Sequence, residues 1–319
     1  MNVTDINAIA LYGAGTIGGG FAAYFALKGL DVNVYVRSEE SAKRAEAAIQ
    51  APIDSFIHYN IAGSAQKLWD KITLTTDPER AFHGIRFIQE NGAENIEQKH
   101  EMIAVMEKYA PEDAIIASSS SGLPATRIAE GAKHPERVIV AHPFNPAYLI
   151  PLVEICKGEK TSQETVGAAV EFYKKYDKAP IVLQKEKKGF VANRLAHALW
   201  REEIALVCEG VCSLEDADNA ICFGPGLRWG IMGPAMGYEL GGGDLGLRGC
   251  AIKFGAMTNS IFEDLSDMKT VPDEWPDISG EQIAPLMEHM PGHVGTTKTA
   301  IASFRDYMLI EMLKMHQKL

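Results

Sequence analysis

His142 and Glu154 stand in the stretch RVIVAHPFNPAYLIPLVEIC (137–156), where two short β-branched runs flank a polar loop. The first run, 138–141, reads as a buried parallel strand, so His142 emerges at its carboxyl end, the edge at which open α/β sheets bind ligands. The second run, 152–155, returns Glu154 to the same neighbourhood. A carboxylate on one imidazole nitrogen fixes the tautomer and stabilises the imidazolium formed on proton uptake, so the two residues make a candidate proton-transfer dyad. Imidazole suits that work because its ordinary pKa, ~6.5, is close to working pH. The competing reading is a histidine that merely ends a strand and a solvated edge glutamate. The surrounding motifs decide between them.

A second chemical signal opens the chain. The apolar strand Ala8–Tyr12 runs into Gly13-Ala14-Gly15-Thr16-Ile17-Gly18, and Phe21, Ala22, Phe25 and Ala26 follow at helical spacing. In a strand–turn–helix unit Gly13 allows the tight turn, Gly15 lets the backbone approach a pyrophosphate, and Gly18 lets the helix pack closely, with the helix N-terminus facing the anion. A second strand at 31–36 follows at βαβ spacing, so this segment is expected to bind a dinucleotide. An NAD-specific site ends that second strand with an acid that binds the adenosine ribose; here the strand is followed by Arg37-Ser38-Glu39-Glu40. Arg37 can pair with a 2'-phosphate and Ser38 can add a hydrogen bond, which favours NADP over NAD. Glu39 or Glu40 swinging onto the ribose would favour NAD.

Further strands are expected at 85–89, 114–117 and Ala179–Leu183, with 38–71 read as a helix pair and helices at 96–109 and 163–176. Four serines, Ser118 to Ser121, end the strand at 114–117 on the ligand-binding edge, so at least one hydroxyl is expected to serve substrate or cofactor. From Phe190 onward the pattern is helical with no convincing strand. The expected architecture is α/β: a Rossmann-like, doubly wound dinucleotide-binding domain over 1–187, then an all-α substrate and dimerisation domain over 188–319. In the helical half, the glycine-rich stretches around 224–230 and 241–244 read as special loops, and the proline-containing 267–292 as an irregular excursion. Arg228 is a candidate carboxylate clamp, since guanidinium binds carboxylate bidentately; a structural salt bridge is the alternative. A final helix at 297–318 carries Ile301, Phe304, Met308, Leu309, Met312 and Met315 as an apolar stripe, to be covered by a second copy or by the same chain.

At 319 residues the chain can bury two cores. A hydrophobic content of 46% and a mean hydropathy of -0.07 fit a soluble globular protein, and no apolar run is long enough to span a bilayer. With no secretory leader signature at its start, a cytoplasmic protein is expected. The net charge of -11 argues against nucleic-acid or anionic-membrane surfaces. The five cysteines never form C-x-x-C, so neither a disulfide framework nor a metal site is indicated.

With these residues in view, the chain resembles the 3-hydroxyacyl-CoA dehydrogenase superfamily over nearly its full length. The resemblance rests on GAGTIG (13–18), ENGAENIEQK (90–99), ASSSSGL (117–123), HPFNP (142–146) with LVEI (152–155), and GFVANR (189–194), in that order. It implies His142 as proton acceptor, Glu154 as its partner, Ser121 as a substrate-binding hydroxyl and Asn193 as a further polar contact. It also implies Asn145 and Glu90 near the nicotinamide ribose, with Lys99 of the same motif in the cofactor site. HPFNPAYLIPLVEI, GPGLRWGIMGP (224–234) and Arg305-Asp306 look most like the branch with lambda-crystallin (L-gulonate 3-dehydrogenase) and L-carnitine dehydrogenase. That branch implies a small free hydroxy acid as substrate and a homodimer through the helical half. The alternatives are a short-chain 3-hydroxyacyl-CoA dehydrogenase, a lysine-dependent β-hydroxyacid dehydrogenase or ketopantoate-reductase type using Lys187 or Lys188, and a non-catalytic crystallin-like or nucleotide-sensing protein. The joint presence of His142, Glu154, Ser121 and Asn193 disfavours the last.

Overall fold

The structure, a computed structural model, describes residues 3–319. In chain order the first part carries β1 (Ala8–Tyr12), α1 (Thr16–Leu27), β2 (Asp31–Tyr35), α2 (Glu39–His58), α3 (Ala65–Trp69), β3 (Ile72–Thr75), α4 (Pro78–Phe82) and β4 (Phe87–Glu90). It continues with α5 (Ile96–Tyr109), β5 (Ile115–Ser118), α6 (Ala125–Ala129), β6 (Val138–Pro143), β7 (Leu152–Lys157), α7 (Gln163–Lys175) and β8 (Ala179–Leu183).

The eight strands form one sheet in the order β3-β2-β1-β4-β5-β6-β7-β8, and only the β6–β7 pair is antiparallel. The chain leaves β1 for β2 on one side and returns to β4 on the other, so the strand order switches direction beside the glycine turn, where a doubly wound sheet opens a crevice. Strand residues alternate between two cores. Ile9 and Leu11 face α1, α2 and α7 with Phe21, Phe25, Phe56 and Phe172. Ala10 and Tyr12 face α4, α5 and α6 with Phe82, Met102, Met106 and Ile128. Caps set several helix starts: Ser38 for α2, Asn95 for α5 and Ser162 for α7 each accept a backbone N–H of the first turn.

The remaining helices are α8 (Ala192–Cys208), α9 (Leu214–Phe223), α10 (Pro225–Trp229), α11 (Pro234–Gly241), α12 (Gly246–Asp264), α13 (Trp275–Glu288) and α14 (Lys298–Met315). Two compact units result: one running to Ala192 and including Asp306–Leu319, the other Asn193–Arg305. The division thus falls five residues beyond 187, and the last fourteen residues rejoin the first unit. The second unit has its own core of Ile204, Val207, Leu214, Trp275 and Leu286.

Several elements differ from the sequence reading: α10 forms inside the glycine-rich 224–230 read as a loop, with Pro225 at its start, and the short helices α4 and α6 were not expected. β3 is an added edge strand; ITLT carries threonine at alternate positions and all four residues are only half-buried, so no apolar run announces it. α13 forms inside the proline-containing excursion because Pro276 sits in its first turn, where the missing N–H costs nothing. The buried residues of the last helix are Asp306, Ile310 and Leu313; the latter two join the sheet's core, while Met308 and Met315 are exposed. Ile310 and Leu313 lie outside the expected stripe, of which Leu309 packs against that core within the chain. No helix among the described residues is long and apolar enough to cross a membrane.

Candidate active site

β6 and β7 pair with His142 opposite Glu154. Directly opposed residues project from the same sheet face. Nδ1 of His142 lies 2.9 Å from Oε2 of Glu154, and the two side chains are 6% and 0% exposed. Oε1 of Glu154 accepts the backbone N–H groups of Val191 and Ala192, each at 2.9 Å. A carboxylate that only accepts leaves Nδ1 to carry the proton and Nε2 to hold a free lone pair. The dyad thus has the tautomer that a proton acceptor needs. Phe190, itself 3% exposed, packs its ring 5.3 Å from the imidazole centroid, and Phe144 packs edge-on at 5.5 Å. Gly189 at φ 75° and Phe190 at φ 49° turn the chain so that the next two N–H groups meet Glu154. For Phe190 this left-handed backbone costs of order 1 kcal/mol.

The serine loop leaves β5 beside β6, with Ser118 paired to Val140. Three of its four hydroxyls are committed. Ser118 donates to Glu90 at 2.6 Å, Ser119 donates to Asn91 at 2.8 Å while accepting from Gln89, and Ser120 donates to Glu94 at 2.6 Å. Ser121 is exposed and makes no side-chain hydrogen bond among the described residues. Glu94 fixes the loop further, with Oε1 accepting the N–H of Gly122 at 2.7 Å and of Leu123 at 3.2 Å. Sequence reading passed over Glu94. Its signal was an acid in the turn after β4, across from the serines.

The glycine turn has the shape of a dinucleotide cradle. Gly13 is at φ 84°, and a Cβ on Gly18 would sit 2.2 Å from the Gly13 carbonyl oxygen, so the fold itself demands both glycines. At Gly15 nothing lies within 4 Å of where a Cβ would be. That open space at the start of α1, whose N-cap has no side-chain hydrogen bond, fits an incoming pyrophosphate. A cavity of about 420 Å³ runs from Gly13, Gly15 and Thr16 to Arg37, Ser41 and Arg44. Ile17 is half-buried and packs on the sheet core instead.

The family model for the 3-hydroxyacyl-CoA dehydrogenase NAD-binding domain matches residues 8–187, and that for the 3-hydroxyacyl-CoA dehydrogenase C-terminal domain matches 189–272. The chain belongs to the 3-hydroxyacyl-CoA dehydrogenase family. It is 38% identical over 256 residues to L-carnitine dehydrogenase of Streptomyces griseus, covering 80% of this chain and 76% of that one. It is 34% identical over 319 residues to L-carnitine dehydrogenase of Bacillus cereus, covering 100% and 95%. Among solved structures it is similar to 5-formyl-3-hydroxy-2-methylpyridine 4-carboxylic acid 5-dehydrogenase, with a TM-score of 0.78 and 27% identity over 98% of both chains. It is also similar to (S)-3-hydroxybutyryl-CoA dehydrogenase from Ralstonia eutropha, with a TM-score of 0.64 and 26% identity over 80% of this chain and 89% of that one.

As a member of this family the chain carries its NAD-binding domain and is a 3-hydroxy acid dehydrogenase acting on a CH–OH group. The lysine-dependent type is thereby set aside; Lys187 and Lys188 are both exposed. Three of the expected contacts of this dehydrogenase, Glu90, Lys99 and Ser38, are engaged within the protein. Glu90 and Lys99 form an ion pair at 2.7 Å, each 1% exposed, and Glu90 also accepts from Ser118 and the N–H of Gly92. Both carboxylate oxygens are thus engaged inside the protein, and the pair shapes the loop after β4. Ser38 is committed as the cap of α2 and donates to Ser41. Asn145 is exposed in the β6–β7 loop. That loop is pinned by Lys178, whose Nζ donates to the carbonyls of Ala147 at 2.6 Å and Ile150 at 3.1 Å, and by Tyr148, which donates to Asp306. Nothing in the sequence marked Lys178. In the second unit, Asn193 is half-buried with its carbonyl 2.7 Å from Nδ1 of His197, and Arg228 is exposed on α10 with no side-chain partner among the described residues. Burial, with Glu186 and Glu154 nearby, pushes the Cys156 thiol up to about 11, so it is no nucleophile at neutral pH.

Proposed function

We propose that the substrate is a small free 3-hydroxy acid, not a CoA thioester, and that NADP is the preferred coenzyme. The observation that carries the chemistry is the 2.9 Å His142–Glu154 pair, with Nε2 open as an acceptor and Ser121 the uncommitted hydroxyl beside it in the strand order. His142 takes the hydroxyl proton in oxidation and returns it in reduction, and Glu154 stabilises the imidazolium in between. Ser121 hydrogen-bonds the reacting oxygen. The nicotinamide, when bound, supplies the hydride acceptor.

The free-acid reading is supported by the L-carnitine dehydrogenase relatives, since L-carnitine is itself a free 3-hydroxy acid. Arg228 is the proposed carboxylate clamp and Asn193 a further substrate contact. Asn145 is proposed at the nicotinamide ribose, and the Glu90–Lys99 pair as the support of the cofactor loop. NAD binding is the family's property; the NADP preference rests on Arg37, which lines the dinucleotide cavity and has no hydrogen-bond or ion-pair partner among the described residues. A homodimer through the helical unit is part of the same reading, supported by apolar side chains such as Phe223, Leu240, Ile252 and Phe262 that are each at least 67% exposed. So is a cytoplasmic setting, in keeping with five free cysteines.

A coenzyme-reduction screen over L-carnitine, other free 3-hydroxy acids, polyol acids and 3-hydroxyacyl-CoA, with NAD and NADP in parallel, tests this reading. Turnover of a free acid with NADP favoured is expected. Turnover confined to thioesters overturns the substrate assignment, and a preference for NAD overturns the coenzyme assignment. Light scattering that finds only monomer overturns the dimer.

A further inference from the structure

The adenosine end of the dinucleotide cavity holds more positive charge than the sequence motif announced. Arg37 leaves the end of β2, and Ser41 and Arg44 reach the same cavity from the first turns of α2. Arg44 and Ser41 lie one helical turn apart, and Nη2 of Arg44 donates to Oγ of Ser41 at 3.1 Å. The acids that could have served a ribose hydroxyl are already engaged. Glu39 accepts from Thr76 at 3.3 Å, and Glu40 accepts from Nη1 of Arg44 at 2.5 Å. Neither carboxylate lines the cavity.

Resting on the NADP reading above, we infer that Ser41 and Arg44 complete a two-arginine subsite for the 2'-phosphate of an adenosine 2'-phosphate, with Glu40 holding Arg44 at its rim. Arg37 and Arg44 line one cavity from different elements, so a dianion bound there can pair with both cations, while a 2'-hydroxyl gains neither charge-assisted bond. Arg44 has five N–H donors, and the two bonds to Glu40 and Ser41 leave others for phosphate. Glu40 keeps the guanidinium ordered when no phosphate is present and competes for it when one arrives. Its loss should therefore tighten phosphate binding.

Calorimetric titration of the full-length protein with 2',5'-ADP and with 5'-AMP tests this without turnover. The wild type is expected to bind 2',5'-ADP more tightly by about 10- to 100-fold. Arg44→Ala should lose about tenfold or more of that preference while 5'-AMP affinity stays within about twofold. Arg44→Lys should retain part of it, and Glu40→Gln should strengthen 2',5'-ADP binding alone. A wild type with no preference overturns both the NADP reading and the subsite. A preference that survives Arg44→Ala but falls in Arg37→Ala leaves NADP standing and overturns the role of Arg44. Equal losses for both nucleotides in Arg44→Ala, with an unchanged thermal unfolding profile, overturn it too, since they mark a residue that shapes the cavity without reading the phosphate.

Discussion

Oε1 of Glu154 lies 2.9 Å from the amide nitrogen of Ala192, the first residue of α8, while Oε2 of the same carboxylate holds Nδ1 of His142 at an equal distance. Glu154→Gln cannot serve both partners. Its single amide oxygen can keep the backbone N–H groups, but its NH₂ then faces Nδ1, which must become the acceptor. The ring proton moves to Nε2, the atom that has to be empty. We expect kcat to fall at least ~10²-fold, close to the loss in His142→Ala, with coenzyme affinity nearly unchanged in both. Steady-state kinetics and nitrogen NMR of the imidazole tautomer check this; near-normal turnover in either variant would sink the assignment.

Glu94 gathers Ser120, Gly122 and Leu123 and so presents Ser121. Glu94→Ala should lower kcat/KM by about tenfold through loss of this presentation. Ser121→Ala should do the same, and the double variant should be little worse than either alone. Fully additive losses in the double-mutant cycle would mean that the two residues act independently.

Lys178 is 2% exposed, and the face of Tyr24 lies 3.8 Å from its Nζ. That ring and two carbonyls favour the cation, but burial, followed by the charge of Lys28, outweighs them and brings its pKa down from 10.5 to about 7. Between pH 7 and 10.5 the unfolded chain holds a proton that the folded chain has released. Stability from this group is therefore fully present above pH 10.5 and is lost as pH falls to about 7. Urea unfolding at pH 7 and at pH 9.5 should find the wild type gaining on Lys178→Met by about 1 kcal/mol or more as pH rises. A difference that stays flat across that window would show that Lys178 remains charged in the fold.

Arg228→Lys keeps the charge but loses the bidentate fork. If the exposed guanidinium on α10 clamps the substrate carboxylate, KM for the acid should rise by about tenfold with kcat little changed. A KM unaltered within about twofold would remove Arg228 from the site.

Local patterns made much of this protein legible in its sequence. The Ala8–Tyr12 strand, the glycine turn and the helix behind it follow from short-range sterics, and α5 starts where Asn95 can cap it. His142 at a strand's carboxyl end and the return of Glu154 were equally readable, because a buried apolar run fixes which end of a strand meets the crevice. Partner choice among polar groups was not readable, since it depends on which strands lie side by side. Only the β4–β5–β6 neighbourhood shows that Ser118, Ser119 and Ser120 are spent on Glu90, Asn91 and Glu94 and that Ser121 is left over. The same long-range packing buried Glu90 against Lys99 and returned Ile310 and Leu313 to the sheet's core. It also brought Arg44 beside the cavity that the sequence had marked with Arg37 alone. Periodicity within a segment sets the element and its inward face; the identity of the groups that meet that face is decided only when distant segments pack together.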